Sequence, residues 1–510
     1  MEIIRLFSNK FEEELFTKFS FNTYQQDIIN IHNSFAGIRE SDDEIYLLSD
    51  SISSKPLFYS IDNVGGGKKK IYISDDACKI AFTVKYQVDQ SLKNFFLKSG
   101  YVGANRTLFS NIYTLLPGQC IRINKISGKI KEENYFNLDY TVPTNTDISD
   151  EELLIELDKT FHVVFQDLIL RVKNKNVIVP LSGGCDSRII VTTLKKLGIE
   201  NVYCVSYGRS ESFEIKIAKE VADKLGYPWI YSEYTGEMWR NFFNSLECKK
   251  FLKYATKGGY GIGCIQAVPA FLDLKNRGLL PEDAIVIPGH ALDFLAGSHL
   301  PDINESETWS KEKILDYIRR SHYMLNSKVH VELEKAVKFE KEYYSRKEVV
   351  HYIMEWEYNN RQSKFIANDV RAYEFCGYSF ELPFWDMRIC KFFMSLPYEK
   401  LYKRNLQYKY MLHYIDPYIG YKQIYDLKWK LKNKRNIIKK YLRPFVKSFI
   451  DIKIIKNKWK DHYTNVDAFF DWLSFREYLQ MFFDFGINFS LNSIVVRDYI
   501  NRRLWDNEKT

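Results

Sequence analysis

An apolar run, Val177-Ile178-Val179-Pro180, passes without a break into Leu181-Ser182-Gly183-Gly184-Cys185-Asp186-Ser187. An amphipathic segment follows, with Ile189, Ile190, Leu194 and Leu197 on one face. The pattern predicts a strand, a glycine turn and a helix whose N-terminus points at the turn. Such a junction is an anion site, because backbone N–H groups converge there and the helix dipole favours negative charge. Gly183 and Gly184 let the backbone approach a phosphate, and Ser182 and Ser187 add hydroxyl donors. A bare phosphate would repel Asp186, so its place in the loop predicts Mg²⁺ between the two. The Gly-Lys-Ser/Thr ending of a Walker loop is missing.

Length and composition set the frame around that loop. A chain of 510 residues exceeds one ordinary core and predicts two or three domains. A net charge of +8 is modest for this size and does not by itself call for nucleic acid. The eight cysteines show no Cys-x-x-Cys pair and no metal-ligand spacing, which predicts reduced, buried thiols. Neither a signal peptide nor a run of 18 apolar residues is found, so a cytoplasmic protein without a membrane span is expected.

Residues 1–145 read as a β-rich domain, with short alternating runs at 44–48, 57–61, 70–74 and 120–124 between turns. Residues 141–150 read as a polar linker, with Asp150 as cap of a helix over 151–170. Strands at 177–180, 202–207 and 284–288 then alternate with helices at 187–197 and 212–226, which predicts a parallel sheet covered on both faces. Ligands of such sheets bind at the carboxyl ends of the strands. The chain turns helical from about residue 310, and residues 426–510 form a basic, aromatic extension.

The Ser-Gly-Gly-Cys-Asp-Ser loop resembles the PP-loop of ATP pyrophosphatases. Further segments, in order over about 170–425, resemble the asparagine synthetase family. They are Val205-Ser206-Tyr207-Gly208, Pro288-Gly289-His290-Ala291-Leu292-Asp293, Asn368-Asp369-Val370-Arg371, Leu382-Pro383-Phe384-Trp385-Asp386, Ser395-Leu396-Pro397 and Lys409-Tyr410-Met411-Leu412. The resemblance implies an α/β protein in which a degenerate Ntn-hydrolase-like domain (1–145) precedes an adenine nucleotide α-hydrolase-like synthetase domain (150–425). The N-terminal domain is similar to the family's glutaminase at Asp50–Tyr59, Arg106–Phe109 and Leu116–Gly118. Such a glutaminase needs Cys at position 2, where this chain has Glu2, so no glutamine hydrolysis is expected.

The activity implied is adenylation of a carboxylate by ATP and transfer of the acyl group to ammonia or an amine, as in β-lactam synthetase-like members. Leu181, Ser182, Gly183, Gly184, Asp186, Ser187, Val205, Ser206 and Gly289 would bind ATP, and Asp186 and Asp293 would hold Mg²⁺. Lys409 would stabilise charge in the amide-forming step, or else lie on a solvated helix face. His290 stands where the family has Glu or Tyr, and a neutral imidazole there is a competent base. Glu381 and Tyr378 are the next candidates. Both His290 and the Ser379-Phe380-Glu381 segment depart from the family on the acceptor side, which puts aspartate in doubt as substrate. A small metabolite, a peptide or a sugar acid would serve as the carboxylate.

Cys185 reads as a packed thiol, and the glycine-rich 258–263 stretch as a flexible loop near the acceptor pocket. The basic 428–463 segment admits a polyanion patch or a solvated amphipathic helix, the latter favoured, so nucleic acid is not the expected partner; a homodimer is admitted. Two rivals remain open: a tRNA-modifying PP-loop enzyme, and an inactive nucleotide-binding scaffold.

Overall fold

A computed structural model describes residues 2–8, 31–32, 34–63, 69–141, 143–145, 147–420, 468–486 and 489–506. The basic 428–463 segment lies outside these residues. Eight strands form the N-terminal part: β1 (Glu2–Leu6), β2 (Ala36–Glu40), β3 (Glu44–Ser49), β4 (Phe58–Asn63), β5 (Lys69–Ser74), β6 (Tyr113–Thr114), β7 (Gln119–Asn124) and β8 (Ile130–Asn134). They pair as two four-stranded sheets, β1-β5-β4-β6 and β2-β3-β7-β8. Alternation decides which side chains meet: Leu47, Ile121 and Ile123 from one sheet pack with Tyr59, Ile71 and Ile73 from the other. Glu2 opens β1 and ion-pairs with Lys70 at 3.0 Å, so position 2 is part of a sheet edge.

The second part holds the predicted parallel sheet. Its strands are β9 (Asn176–Pro180), β10 (Val202–Gly208), β11 (Trp229–Glu233), β12 (Ala284–Val286) and, after a small antiparallel pair of β13 (Thr308–Ser310) and β14 (Tyr343–Ser345), β15 (Ser379–Phe380). The order is β11-β10-β9-β12-β15, parallel throughout. Val177, Ile178 and Val179 are buried on both faces, which is why that strand reads as a continuous apolar run. The chain leaves β9 toward β10 on one side and later builds β12 and β15 on the other. A crevice therefore opens at the carboxyl ends of β9 and β12, where the strand order reverses. Among the described residues no helix is long and apolar enough to cross a membrane.

Two local expectations are corrected. Ser149, not Asp150, caps the helix Asp150–Arg171, in a capping box with Glu152. The glycine stretch 258–263 is packed rather than flexible. Leu108 N–H donates to Gly258 O at 3.1 Å and Ile262 N–H to Gly100 O at 2.8 Å. A Cβ on Gly261 would lie 1.7 Å from Lys364 O. This stretch is the seam between the two parts, and the buried Lys364 ammonium fastens it by donating to Val102, Ala104 and Arg106 carbonyls. Burial pulls that lysine down to about 7.

The seam yields a stability test. Gly261→Ala should cost about 3 kcal/mol, at the upper end of overpacking. Gly278→Ala, with nothing within 4 Å of the new Cβ and a φ of +66°, should cost about 1 kcal/mol from its left-handed backbone alone. Denaturant midpoints of the two variants check this, and equal losses would contradict the packed seam.

Candidate active site

The crevice is built from the two strand ends inward. After β9 the chain turns through Leu181–Gly184 into the helix Cys185–Lys196, whose N-cap, Gly184, supplies no side-chain cap. Leu181 is tied down on both sides: its N–H donates to Val205 O at 2.8 Å, and its carbonyl accepts Ser206 Oγ at 2.8 Å. Ser182 is exposed, and its Oγ accepts Gly184 N–H at 3.2 Å and lies 3.2 Å from Ser187 Oγ. Gly183 is required where it sits, since a Cβ would meet Glu214 Cα at 3.0 Å. Cys185 is buried, as a packed thiol should be.

β12 delivers the other wall. A Cβ on Gly289 would approach Ser187 N to 2.8 Å, so only glycine lets this loop press against the helix start. Ala291 then takes φ +86°, a left-handed conformation that costs about 1–2 kcal/mol in a residue with a Cβ. The turn places Asp293 N–H 3.0 Å from Asp186 Oδ2. Ser298 Oγ in turn donates to Asp293 Oδ2 at 3.1 Å. The two carboxylates thus share one corner of the crevice. Burial, and after it the Asp293 charge, pushes the Asp186 carboxyl well up; Gln407 and Arg404 oppose that rise.

A third element reaches the same corner. Gln407 Nε2 donates to Asp186 Oδ1 at 2.7 Å from the helix Asn405–Tyr410. Arg404, at the N-cap of that helix with a left-handed φ of +61°, lies near enough to attract the Asp186 charge. Lys409 sits about 200° around the helix from Gln407. Its ammonium is ion-paired with Asp150, which also pairs with Lys400 at 2.5 Å. Arg404 and Gln407, rather than Lys409, therefore face the Asp186 carboxylate.

His290 is brought in on the same loop, close enough to Asp293 to feel its charge. Its Nε2 lies 3.8 Å from Asp369 Oδ2, its Nδ1 has no hydrogen-bond partner, and burial pushes it down to about 4. Asp369 is itself pushed well up by burial. Val205 and Ser206 are buried, and the Ser206 hydroxyl is engaged by Leu181 and by Trp229 Nε1 at 3.0 Å. They shape the loop rather than line open space. Glu381 ion-pairs with Arg171 at 3.1 Å, and Tyr378 lies under the Lys275 ammonium.

Among the described residues no cluster of three His, Cys, Asp or Glu is placed to hold a metal ion. Two carboxylates do fit Mg²⁺, which takes one or two protein ligands and fills its octahedron with phosphate oxygens and water. The crowding of Asp186 and Asp293 is the strain such a cation would relieve.

No family model and no curated protein matches the chain. Among solved structures it is similar to an NH3-dependent NAD synthetase from Campylobacter jejuni subsp. jejuni NCTC 11168, at 15% identity and a TM-score of 0.20, over 34% of this chain and 74% of that one. A subunit of tRNA methyltransferase from Methanocaldococcus jannaschii DSM is similar at 16% identity and a TM-score of 0.15, over 38% of this chain and 92% of that one. Likenesses of this size carry no argument, and function is argued from the site.

The raised Asp186 carboxyl makes a prediction for the protein without nucleotide. Its folded form holds a proton more tightly than its unfolded form, so stability falls as pH rises from the ordinary value near 3.8. Asp186→Asn lacks that loss, and Gln407 can flip its amide to accept from the new NH2. The variant should melt above the wild type at pH 8, by about 1 °C for each kcal/mol relieved in a chain of 510 residues, and the gap should close near pH 4. A wild type that melts higher at pH 8 would contradict it.

Proposed function

We propose that this protein is an ATP-dependent ligase that adenylates a carboxylate and passes the acyl group to ammonia or an amine, as the asparagine synthetase resemblance implies. The observation that carries this reading is the corner where Asp186 and Asp293 meet at an uncapped helix N-terminus. The loop amides and the Ser182 and Ser187 hydroxyls would cradle the phosphates of ATP. Mg²⁺, held by Asp186 and Asp293, would neutralise charge on the leaving pyrophosphate.

In the first step a substrate carboxylate oxygen bonds to the α-phosphorus and pyrophosphate departs. Arg404 offers the cationic partner for the charge that develops there, and Gln407 keeps Asp186 oriented. In the second step the amine nitrogen bonds to the acyl carbon and AMP departs. His290, uncharged above about pH 4, presents a ring nitrogen to the acceptor side and orients the amine.

The test is carboxylate-dependent exchange of pyrophosphate into ATP over a panel of amino acids, peptides and sugar acids. At least one acid should support exchange, and Asp186→Ala should abolish it without loss of fold. Exchange with no acid, or full exchange in the variant, would overturn the reading.

Arg404→Ala should slow exchange roughly 10²–10³-fold, the span for loss of one transition-state contact. Lys409→Ala should slow it far less, because its partner is Asp150. Side-by-side exchange rates check this; the reverse order would return the charge role to Lys409.

A further inference from the structure

Immediately beyond Asp293 the same loop carries a second imidazole–carboxylate pair that the steps above leave idle. Ser298, which donates to Asp293, is followed by His299, one Cα step of about 3.8 Å along the chain. His299 Nδ1 lies 2.8 Å from Glu357 Oε1. The Glu357 side chain is only 3% exposed and that of His299 is 28% exposed. The carboxylate is thus sealed inside, while the imidazole is partly open to solvent one residue beyond Ser298. Tyr317 OH donates to His299 O at 3.0 Å and fixes the backbone at this point.

Glu357 is built to stay charged. His322 Nε2 lies 3.3 Å from the same oxygen, Arg361 Nη1 lies 3.8 Å from Oε2, and Gln362 Nε2 donates to Oε2 at 3.2 Å. The two histidines and Arg361 overcome burial and hold its carboxyl at about 2. His322 is fully enclosed, with no hydrogen-bond partner on Nδ1 and with burial pushing it down to about 4, so it cannot serve a substrate. Glu357 ends the helix Arg346–Glu357, where the backbone loosens into a π-helix over Tyr358–Ile366, a feature frequent at functional sites. Arg361, from that π-helix, also attracts the charge of Asp369, the partner of His290. The two pairs therefore flank one cation behind the acceptor side.

They are not equivalent. His290 and Asp369 are 3.8 Å apart, too far for a hydrogen bond, whereas His299 and Glu357 are at contact distance. A base needs a carboxylate that holds its imidazole and stabilises the imidazolium as it forms. We propose that His299 is the catalytic residue that takes the proton from the attacking amine, with Glu357 as the positioning residue that holds its ring. This rests on the ligase reading above. As the nitrogen bonds to the acyl carbon and the acyl–phosphate C–O bond breaks, the departing AMP keeps the bonding pair. The amine proton passes to His299 Nε2 and from there to water.

The test uses the full-length protein, ammonia as nucleophile and the acid that gives the fastest exchange. His299→Ala should slow amide formation roughly 10²–10⁴-fold and leave pyrophosphate exchange within about twofold. Added imidazole should restore part of the rate. Glu357→Gln should slow the same step through kcat, with the KM for ammonia little changed. Full amide formation in His299→Ala, or loss of exchange in parallel with it, overturns the proposal. So does an amide-forming kcat that Glu357→Gln leaves unchanged. If Glu357→Gln does not fold, His299→Ala and imidazole rescue decide alone. Failure of exchange in the wild type with every acid would overturn the ligase reading and this step with it.

Discussion

Two carboxylates forced together at the start of a helix set the terms for the rest of the site. Asp186 and Asp293 come from adjacent strands whose connections leave in opposite directions, and the Asp293 amide donates to Asp186. Like charges at this range repel, and desolvation adds to the cost. The fold meets that cost with features that lie close by. Glycine at 289 allows the approach, Ala291 accepts a left-handed backbone, and Gln407 and Arg404 face the pair from a third element. An arrangement so unfavourable in the empty protein is well matched to a cation bridging phosphates.

The N-terminal sheets serve this geometry from a distance. Asp50 is buried and accepts N–H groups from Phe35, Ile52 and Ser54, which shapes the 50–56 turn rather than a reactive centre. That turn then grips the part that holds the parallel sheet: Arg371 donates to Ser54 O at 2.6 Å, and Ser51 Oγ donates to Trp385 O at 2.6 Å. Arg371 and Trp385 flank, along the chain, the strand that completes the parallel sheet. The helix bearing Asp369 is fixed by the same contacts, which links the first sheets to the acceptor side.

How much of this was legible in the sequence depended on range. The β9–loop–helix unit was read to within two residues, because an apolar run, paired glycines and a 3.6-residue period are local signals. The parallel sheet followed from alternation alone. Asp293 was found only through resemblance, since nothing local distinguishes it from a helix cap. The roles of Gln407, Arg404 and the His299–Glu357 pair are not legible in the sequence, and Asp369 stands out there only as part of a family-like segment, because each acquires meaning from a partner more than fifty residues away. The 258–263 glycines were misread because glycine marks both freedom and close approach, and only Lys364 and Leu108 reveal which applies. At 149–150 two adjacent residues could each cap a helix, and Glu152 decided for Ser149.

The central claim is that the Asp186–Asp293 corner receives a metal-bound triphosphate. Calorimetric titration with α,β-methylene-ATP, with and without Mg²⁺, tests it in the wild type and in Asp293→Asn. The account predicts that Mg²⁺ tightens binding to the wild type by about tenfold or more, worth about 1.4 kcal/mol, and that the variant loses most of this gain. Equal affinity with and without Mg²⁺ in the wild type, or an undiminished gain in Asp293→Asn, would contradict it.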